Sequence, residues 1–354
     1  MSRTSPPPAE LLLGRPERLG DLARAAELVR ERRVLVTGAA GSLGWPLSHA
    51  LLRAEPRRLV LVDHHEHSLF GLERALGPSD RTRFELADIR DSARMGRVFD
   101  EYRPELVIHL AAAKHVPYGE RFPEGAVATN VLATRTLLEL ADRAGTRTVV
   151  YPSSDKSVLP PSVYGATKRL AEALVQAMSG QRQWAVVRYV NIIGTRGSVI
   201  ETFTQQILAE RPLSVTDERM TRYWISMDEA LWCALMTCQT AAPGEIVMPD
   251  CGESVPIVET ARRLAGWYRP EQVPYPLTCT GIRPGERLDE VLLSPNESFA
   301  VADAAPGVRL VRTRRDAATL SGIHATLDRL EELVRSGERE ALARTCLEAA
   351  AELQ

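Results

Sequence analysis

Short, mainly apolar runs recur through the first half of the chain, at 34–36, 59–62, 106–110, 148–151 and 185–190, with a weaker run at 84–86 as the third of the series. Between them, longer segments such as 126–144 and 164–178 repeat their apolar positions at helical spacing, and the second closes on Gly180, a residue suited to the end of a helix. Continuous apolar strands that alternate with helices predict an α/β fold, a doubly wound parallel sheet of Rossmann type covered on both faces. After Gly194 the rhythm breaks into segments punctuated by Arg, Gly and Pro, which predicts a smaller C-terminal lobe. The expected organisation is a solvated helical leader over 1–32, with Leu19, Leu22, Ala26 and Val29 at helical spacing; a sheet domain over 33–195 with returning segments at about 225–250; a lobe over 196–300; and a helical region over 301–354. Its stretch 324–353 is charged on one face and suited to assembly, so a homo-oligomer is expected.

Composition narrows the function. The formal charge of -2 is spread without a basic stretch, which argues against nucleic acid as a partner. Five cysteines with no CxxC pair predict a reducing compartment and no thiolate metal site. No apolar run reaches the length of a spanning helix, and the polar, proline-rich start lacks the apolar region of a signal peptide, so a cytoplasmic protein without a membrane partner is expected. His64, His65 and His67 match no zinc spacing, and no metal is expected. Asn296-Glu-Ser fits a glycosylation acceptor but is incidental in a chain without a secretory signal. The cations are the most telling feature. The chain has forty-one arginines and three lysines, Lys114, Lys156 and Lys168, all within one 55-residue stretch. An ammonium can exchange its proton and a guanidinium cannot, so lysines kept in a chain that otherwise uses arginine point to proton chemistry.

Two constellations carry that chemistry. Gly38, Gly41 and Gly44, with Ser42 and Leu43 between them, follow the first strand and open a helix, the arrangement that brings backbone close to a pyrophosphate at a helix N-terminus. Asp63 lies nineteen residues beyond Gly44 at the end of the second strand, placed for a ribose diol; an acid there favours NAD over NADP. Asp88 and Ile89 follow the third strand, where an adenine ring is held, and Ala111 and Ala112 follow the fourth. In Tyr164-Gly-Ala-Thr-Lys168 a phenol and an ammonium share one helix face after the fifth strand. The cation is expected to lower the phenol from its ordinary pKa of about 10, so that it can act as a base on a carbinol, with Ser153 or Ser154 bonding the same oxygen.

The tyrosine-lysine pair with the glycine loop resembles the extended short-chain dehydrogenase/reductases. Further motifs, Ala111-Ala-Ala-Lys-His-Val-Pro117, Ser154-Asp-Lys156, Val163-Tyr-Gly-Ala-Thr-Lys168, Gly194-Thr-Arg-Gly-Ser-Val-Ile200, Val215-Thr-Asp-Glu-Arg-Met-Thr-Arg222 and Ile282-Arg-Pro-Gly-Glu286, resemble the bacterial UDP-N-acetylglucosamine 4,6-dehydratases of the polysaccharide-biosynthesis type, from about residue 10 to residue 295. The segment Glu10-Leu-Leu-Leu-Gly-Arg15 is similar to the one that precedes this domain in membrane-bound relatives, so a soluble form is expected.

The resemblance implies an NAD-dependent lyase whose partner is a UDP-linked sugar. In such dehydratases the tyrosine, here Tyr164, takes the C4 hydroxyl proton as hydride leaves. Asp155 is then expected to protonate the departing C6 hydroxyl, and Lys156, neutral through desolvation, to take the C5 proton. Lys114 and His115 would reach the substrate or the nicotinamide side, Arg196, Arg222 and Arg283 a diphosphate, Asn191 a phosphate or sugar hydroxyl, and Glu286 the nucleoside ribose. The chain departs from the family pattern at Ser154, Leu159-Pro-Pro-Ser162, Val190, Glu201 and Asp250-Cys251, all expected around the sugar pocket. The resemblance therefore leaves the nucleotide, the C2 substituent and the site of dehydration open. A 5,6-dehydratase, a 4-epimerase and a non-catalytic sugar-nucleotide binder stand as alternatives.

Overall fold

In a computed structural model that describes residues 5–313 and 322–354, the strands of the main sheet are β1 (Arg33–Thr37), β2 (Arg58–Asp63), β3 (Thr82–Leu86), β4 (Leu106–His109), β5 (Thr148–Ser154), β6 (Gln183–Tyr189), β7 (Ile246–Pro249), β8 (Glu297–Phe299) and β9 (Val308–Thr313). They form one nine-stranded sheet in the order β8-β9-β7-β6-β5-β4-β1-β2-β3. Strands β1 to β7 run parallel, β9 is antiparallel to β7, and β8 is antiparallel to β9. This is the doubly wound α/β sheet the pattern predicts. Val34 to Val36 and Leu59 to Leu61 are almost wholly excluded from water, as strands covered on both faces must be. The chain leaves β3 at one edge and crosses back to β4 beside β1, and this reversal opens a crevice beyond the carboxyl ends of β1 and β4.

The two last strands, β8 at the edge and β9 beside it, were not expected. The sequence reading puts 297–299 in the lobe and 308–313 in a helical region; short segments in which apolar and polar residues mix carry no strand signal until a neighbour pairs with them. Beyond β9, 314–320 and 321 of the expected helical region lie outside the described residues, as do 1–4 of the leader. The rest of the C-terminal region is two helices, Ile323–Ser336 and Arg339–Glu352, and both pack on the Val163–Met178 helix. Their apolar faces are therefore used within the chain.

The leader also differs from expectation. Only Leu22–Ala26 and a 3₁₀ turn Glu27–Val29 are helical in the expected stretch, and a further short helix, Ala9–Leu13, buries Leu12 and Leu13 in a second core. That core belongs to the lobe, with Phe203, Trp224 and Leu264. Arg15 fixes the leader by ion-pairing at 2.6 Å to the buried Glu229, whose other role is to cap the Met227–Thr240 helix. Two apolar side chains at the foot of a polar segment supply the reason that it is not solvated.

Beneath the Val163–Met178 helix lies a fully buried ionic cluster. Arg169 and Glu172 come from the helix, Arg188 from β6 and Glu297 from β8. Arg188 donates to both carboxylates and to the Leu292 carbonyl. Arg169 reaches the Leu353 carbonyl at 2.5 Å. The cluster ties sheet, helix, lobe and chain end into one body.

Candidate active site

The site is built where β1, β4 and β5 end. Gly38 leaves β1 with a φ of +66°, and a Cβ there would lie 2.7 Å from the Ala111 amide nitrogen and 2.9 Å from its Cα, both backbone. Only glycine lets the two strand ends approach so closely. The helix Gly44–Arg53 begins at Leu43, which offers no side-chain cap; the Trp45 amide donates to the Gly41 carbonyl and Pro46 carries no amide proton, so it is the positive end of the helix dipole that faces the loop. Asp63 lies behind the loop, its two oxygens accepting from the amides of Ala40 and His65 at 3.0 Å. Asp88 is gripped by Arg90 through both oxygens, and that hydrogen bonding holds its carboxyl below the usual range. A cavity of about 820 Å³ is lined by Gly38, Gly41, Ser42, Leu43, Gly44, Asp63, Asp88, Ile89, Ala111 and Ala112. Glycine cradle, helix start and acid together fit a dinucleotide.

A second cavity, about 960 Å³, adjoins it and shares Ala112, Lys114, His115 and Arg196. Its walls include Ser153, Ser154, Lys156, Tyr164, Lys168, Asn191, Arg222, Arg283, Glu286 and Glu290. Ser162 caps the Val163–Met178 helix by accepting from the Gly165 amide at 3.1 Å. At Gly165 a Cβ would sit 2.1 Å from the Lys156 carbonyl oxygen, so this glycine lets the Asp155–Ser157 turn lie directly on the helix. That contact sets Lys156 beside Tyr164. The π-helical turn Ala128–Leu132 presents the buried Asn130, whose amide braces both backbone groups of Ala113 and bonds Thr167 of the same helix.

The electrostatics differ from expectation in three ways. Burial raises the Tyr164 phenol, and the opposing influences are the Lys156 charge and the Ser154 hydroxyl. Lys168 instead donates to the Tyr151 hydroxyl at 3.1 Å and the Pro152 carbonyl at 2.7 Å, and burial, only partly opposed by the Glu172 charge, lowers it to about 7. The expectation that Lys168 depresses the phenol is thus replaced by Lys156 and Ser154, because the turn on Gly165 brings these closer. Second, Lys156 is not neutral: burial opposes its charge, but Asp155 at 3.0 Å and Glu290 at 3.2 Å outweigh that and hold the ammonium above its ordinary range. Third, the Asp155 side chain has no exposed surface, and its Oδ1 accepts from Ser154 and Lys156.

Of the arginines read as diphosphate ligands, Arg196 lies on the glycine loop, donating from its guanidinium to Ala40 and from its amide to Ser42. Arg222 is spent on the carbonyls of Thr221, Arg287 and Leu288 and on Glu290 at 3.6 Å. Arg283 is exposed at the cavity, and its amide donates to Glu286. Asn191 donates to the Tyr223 carbonyl. Lys114 donates to the Arg196 carbonyl at 2.7 Å; burial, then Arg196, lowers its pKa, and burial, then Lys114, lowers that of His115. Glu290, Tyr151 and Asn130 were missed. Glu290 stands four residues beyond the Arg-Pro-Gly-Glu motif with no local pattern to mark it, and Tyr151 reads simply as strand.

Fold and site are those of an extended short-chain dehydrogenase/reductase. Residues 34–310 match the family described as polysaccharide biosynthesis protein, and the chain belongs to that family. It is 38% identical over 300 residues to the probable polysaccharide biosynthesis protein EpsC of Bacillus subtilis, covering 82% of this chain and 50% of EpsC, so the chain spans about half the length of that relative. It is 29% identical over 298 residues to a UDP-N-acetylglucosamine 4,6-dehydratase (inverting) of Campylobacter jejuni, covering 80% of this chain and 86% of that one. Among solved structures it is similar to Pen from Bacillus thuringiensis, with a TM-score of 0.73 and 25% identity over 81% of this chain and 90% of that one. Among the described residues no helix is long and apolar enough to cross a membrane, and no group of acidic, histidine or cysteine side chains could hold a metal ion.

Proposed function

We propose that the chain is an NAD-dependent nucleotide-sugar 4,6-dehydratase that converts UDP-N-acetylglucosamine to a UDP-linked 4-keto-6-deoxy sugar. The observation that carries this reading is the position of Lys156, clamped by two carboxylates on the cavity wall beside Tyr164. Oxidation at C4 needs the tyrosine and its lysine alone, and a 4-epimerase has no use for a second acid-base group; elimination of water needs one. The name of the Campylobacter jejuni relative points the same way.

Gly38, the start of the Gly44–Arg53 helix and Asp63 would hold the dinucleotide, and Asp63 favours NAD. When bound, that group accepts hydride from the sugar and returns it. Tyr164 would receive the C4 hydroxyl proton, with the Lys156 charge and the Ser154 hydroxyl, the two influences that oppose its burial, favouring the phenolate, and Ser154 bonds the same oxygen. Tyr151 and Pro152 hold Lys168 on the cavity wall, where it would support the bound dinucleotide. Arg283 and Glu286 stay at the rim to meet diphosphate and ribose, while Arg196 and Arg222 shape the walls. Incubation of the pure protein with UDP-N-acetylglucosamine, followed by mass spectrometry, checks the reading: loss of one water is expected, and unchanged mass across a panel of nucleotide sugars would defeat it.

A further inference from the structure

Tyr151 sits in the apolar run of β5, between Val150 and Pro152, and is buried. Phenylalanine would fill the same space, and a hydroxyl taken into such surroundings costs stability unless it finds a partner. The partner is Lys168, which donates to it at 3.1 Å. The same ammonium donates to the Pro152 carbonyl at 2.7 Å and lies 4.6 Å from the centre of the Tyr151 ring. Tyr151 is itself held in place. The His109 ring tilts against it at 5.9 Å, and His109 is bonded to Thr37 at 2.6 Å and to Thr134 at 3.1 Å. The titratable groups around Lys168 are Tyr164 and Glu172 on its own helix, Tyr151 on β5 and His109 on β4. Burial, then the Lys168 charge, keeps His109 neutral, and the Glu172 carboxylate is engaged by Arg169, Arg188 and Ser157. Burial brings Lys168 to about 7, so its charge is balanced near neutrality. Both of its acceptors are neutral and one is backbone, which leaves Tyr151 as the side chain, among the described residues, that offers this ammonium a hydrogen-bond acceptor.

We infer that Tyr151 is a positioning residue of the oxidation step: its hydroxyl and ring stabilise the Lys168 ammonium on the cavity wall and leave its third N–H for the bound dinucleotide. An ammonium carries three N–H donors and a neutral amine only two. Tyr151 and Pro152 take up two, so only the charged form has a donor left over, and two fixed contacts set the direction of the third. Removing the hydroxyl alone weakens the hold on the charge and frees the ammonium to turn. The inference rests on the reading of this site as one that oxidises a sugar at C4, and it deepens that reading by naming the side chain on which the charge of Lys168 depends.

The chain has three lysines, so the full-length protein with NAD, labelled with carbon-13 at the lysine Cε, gives three lysine signals by NMR, and Lys168→Met identifies the one from Lys168. Tyr151→Phe keeps the ring and loses only the hydroxyl. Its Lys168 signal should titrate about one pH unit or more below that of the wild type, the usual contribution of a hydrogen bond to a charged group. The Lys114 and Lys156 signals should keep their wild-type midpoints, which shows the fold intact. Transient reduction of the nicotinamide by UDP-N-acetylglucosamine, followed by near-ultraviolet absorbance, should have its alkaline limb moved to lower pH by the same amount, with the rate there about tenfold slower. Its dependence on substrate concentration should stay as in the wild type. Tyr151→Leu, which takes away the ring as well, should move midpoint and limb further. A Lys168 midpoint equal in wild type and Tyr151→Phe would overturn the inference, as would a midpoint that moves while the alkaline limb stays. Wild-type protein that reduces its nicotinamide with no sugar nucleotide would instead sink the dehydratase reading, and the titration of Lys168 would still decide whether Tyr151 holds its charge.

Discussion

Replacing Arg188 with Met takes the centre out of the ionic cluster and keeps its volume. Arg188 is fully buried and makes five hydrogen bonds, four of them to the carboxylates of Glu172 and Glu297, at 2.8 to 3.1 Å. Without it, two buried carboxylates share Arg169 alone. Removing one partner from a buried ion pair costs about 3–5 kcal/mol, most of it from the charge left behind. At about 2.1 cal/mol/K per residue, unfolding a chain of 354 residues carries roughly 0.7 kcal/mol/K, so Tm should fall by about 4–7 °C. The pH dependence gives the prediction a sign. Burial pushes Glu172 up, but Arg188 and then Arg169 outweigh it and hold the carboxyl at about 2, against an ordinary 4.5. A folded-state pKa below the unfolded one contributes stability that is complete above about 4.5 and is lost as pH falls toward 2. Calorimetry at pH 7 and pH 4 should therefore show a wide gap between wild type and Arg188→Met that narrows on acidification. A shift under about 1 °C at pH 7, or a gap unchanged between the two pH values, would refute the reasoning. Because Ser157 of the lysine turn donates to Glu172 at 2.7 Å, the variant should also lose dehydratase turnover at temperatures where it is folded.

Gly38→Ala should abolish NAD binding, read by calorimetric titration, and lower stability by roughly 1–3 kcal/mol, since its Cβ meets the Ala111 backbone at a positive φ. Lys168→Met should leave no nicotinamide reduction detectable by near-ultraviolet absorbance. The lowered pKa of Lys168 means that wild-type stability rises with pH from about 7 to 10.5 relative to that variant, and a flat difference across that window would remove the desolvation account. Arg15→Ala strands Glu229 without its ion-pair partner and should speed hydrogen exchange over the Ala9–Leu13 helix, leaving the sheet protected.

The parallel strands, the glycine loop and the tyrosine-lysine helix were legible because each is written locally, as an apolar run, a glycine triplet or a fixed spacing on one helix face. The fold class follows from those three alone. Strands β8 and β9 were not legible, since Glu297–Phe299 and Val308–Thr313 gain their order from pairing rather than from pattern. Within the site, the sequence brought Lys156 and Tyr164 to notice but could not give their charges. The charge state of Lys156 depends on Glu290, which arrives from a distant loop, and the approach of the turn to the helix depends on the absence of a Cβ at Gly165. The excess of arginine over lysine drew attention to Lys114, Lys156 and Lys168, all three of which line the second cavity. It could not say which arginines face a ligand, because Arg196 and Arg222 are consumed by carbonyls that only the folded chain presents.

The central claim is that hydride removed at C4 returns to C6 of the same sugar after water has left. UDP-N-acetylglucosamine carrying deuterium at C4 tests it most directly, with the product examined by NMR. The account predicts a 4-keto-6-deoxy product with the deuterium in its C6 methyl group. Deuterium found again at C4 of a sugar that has kept its C6 hydroxyl would contradict it and make the protein an epimerase.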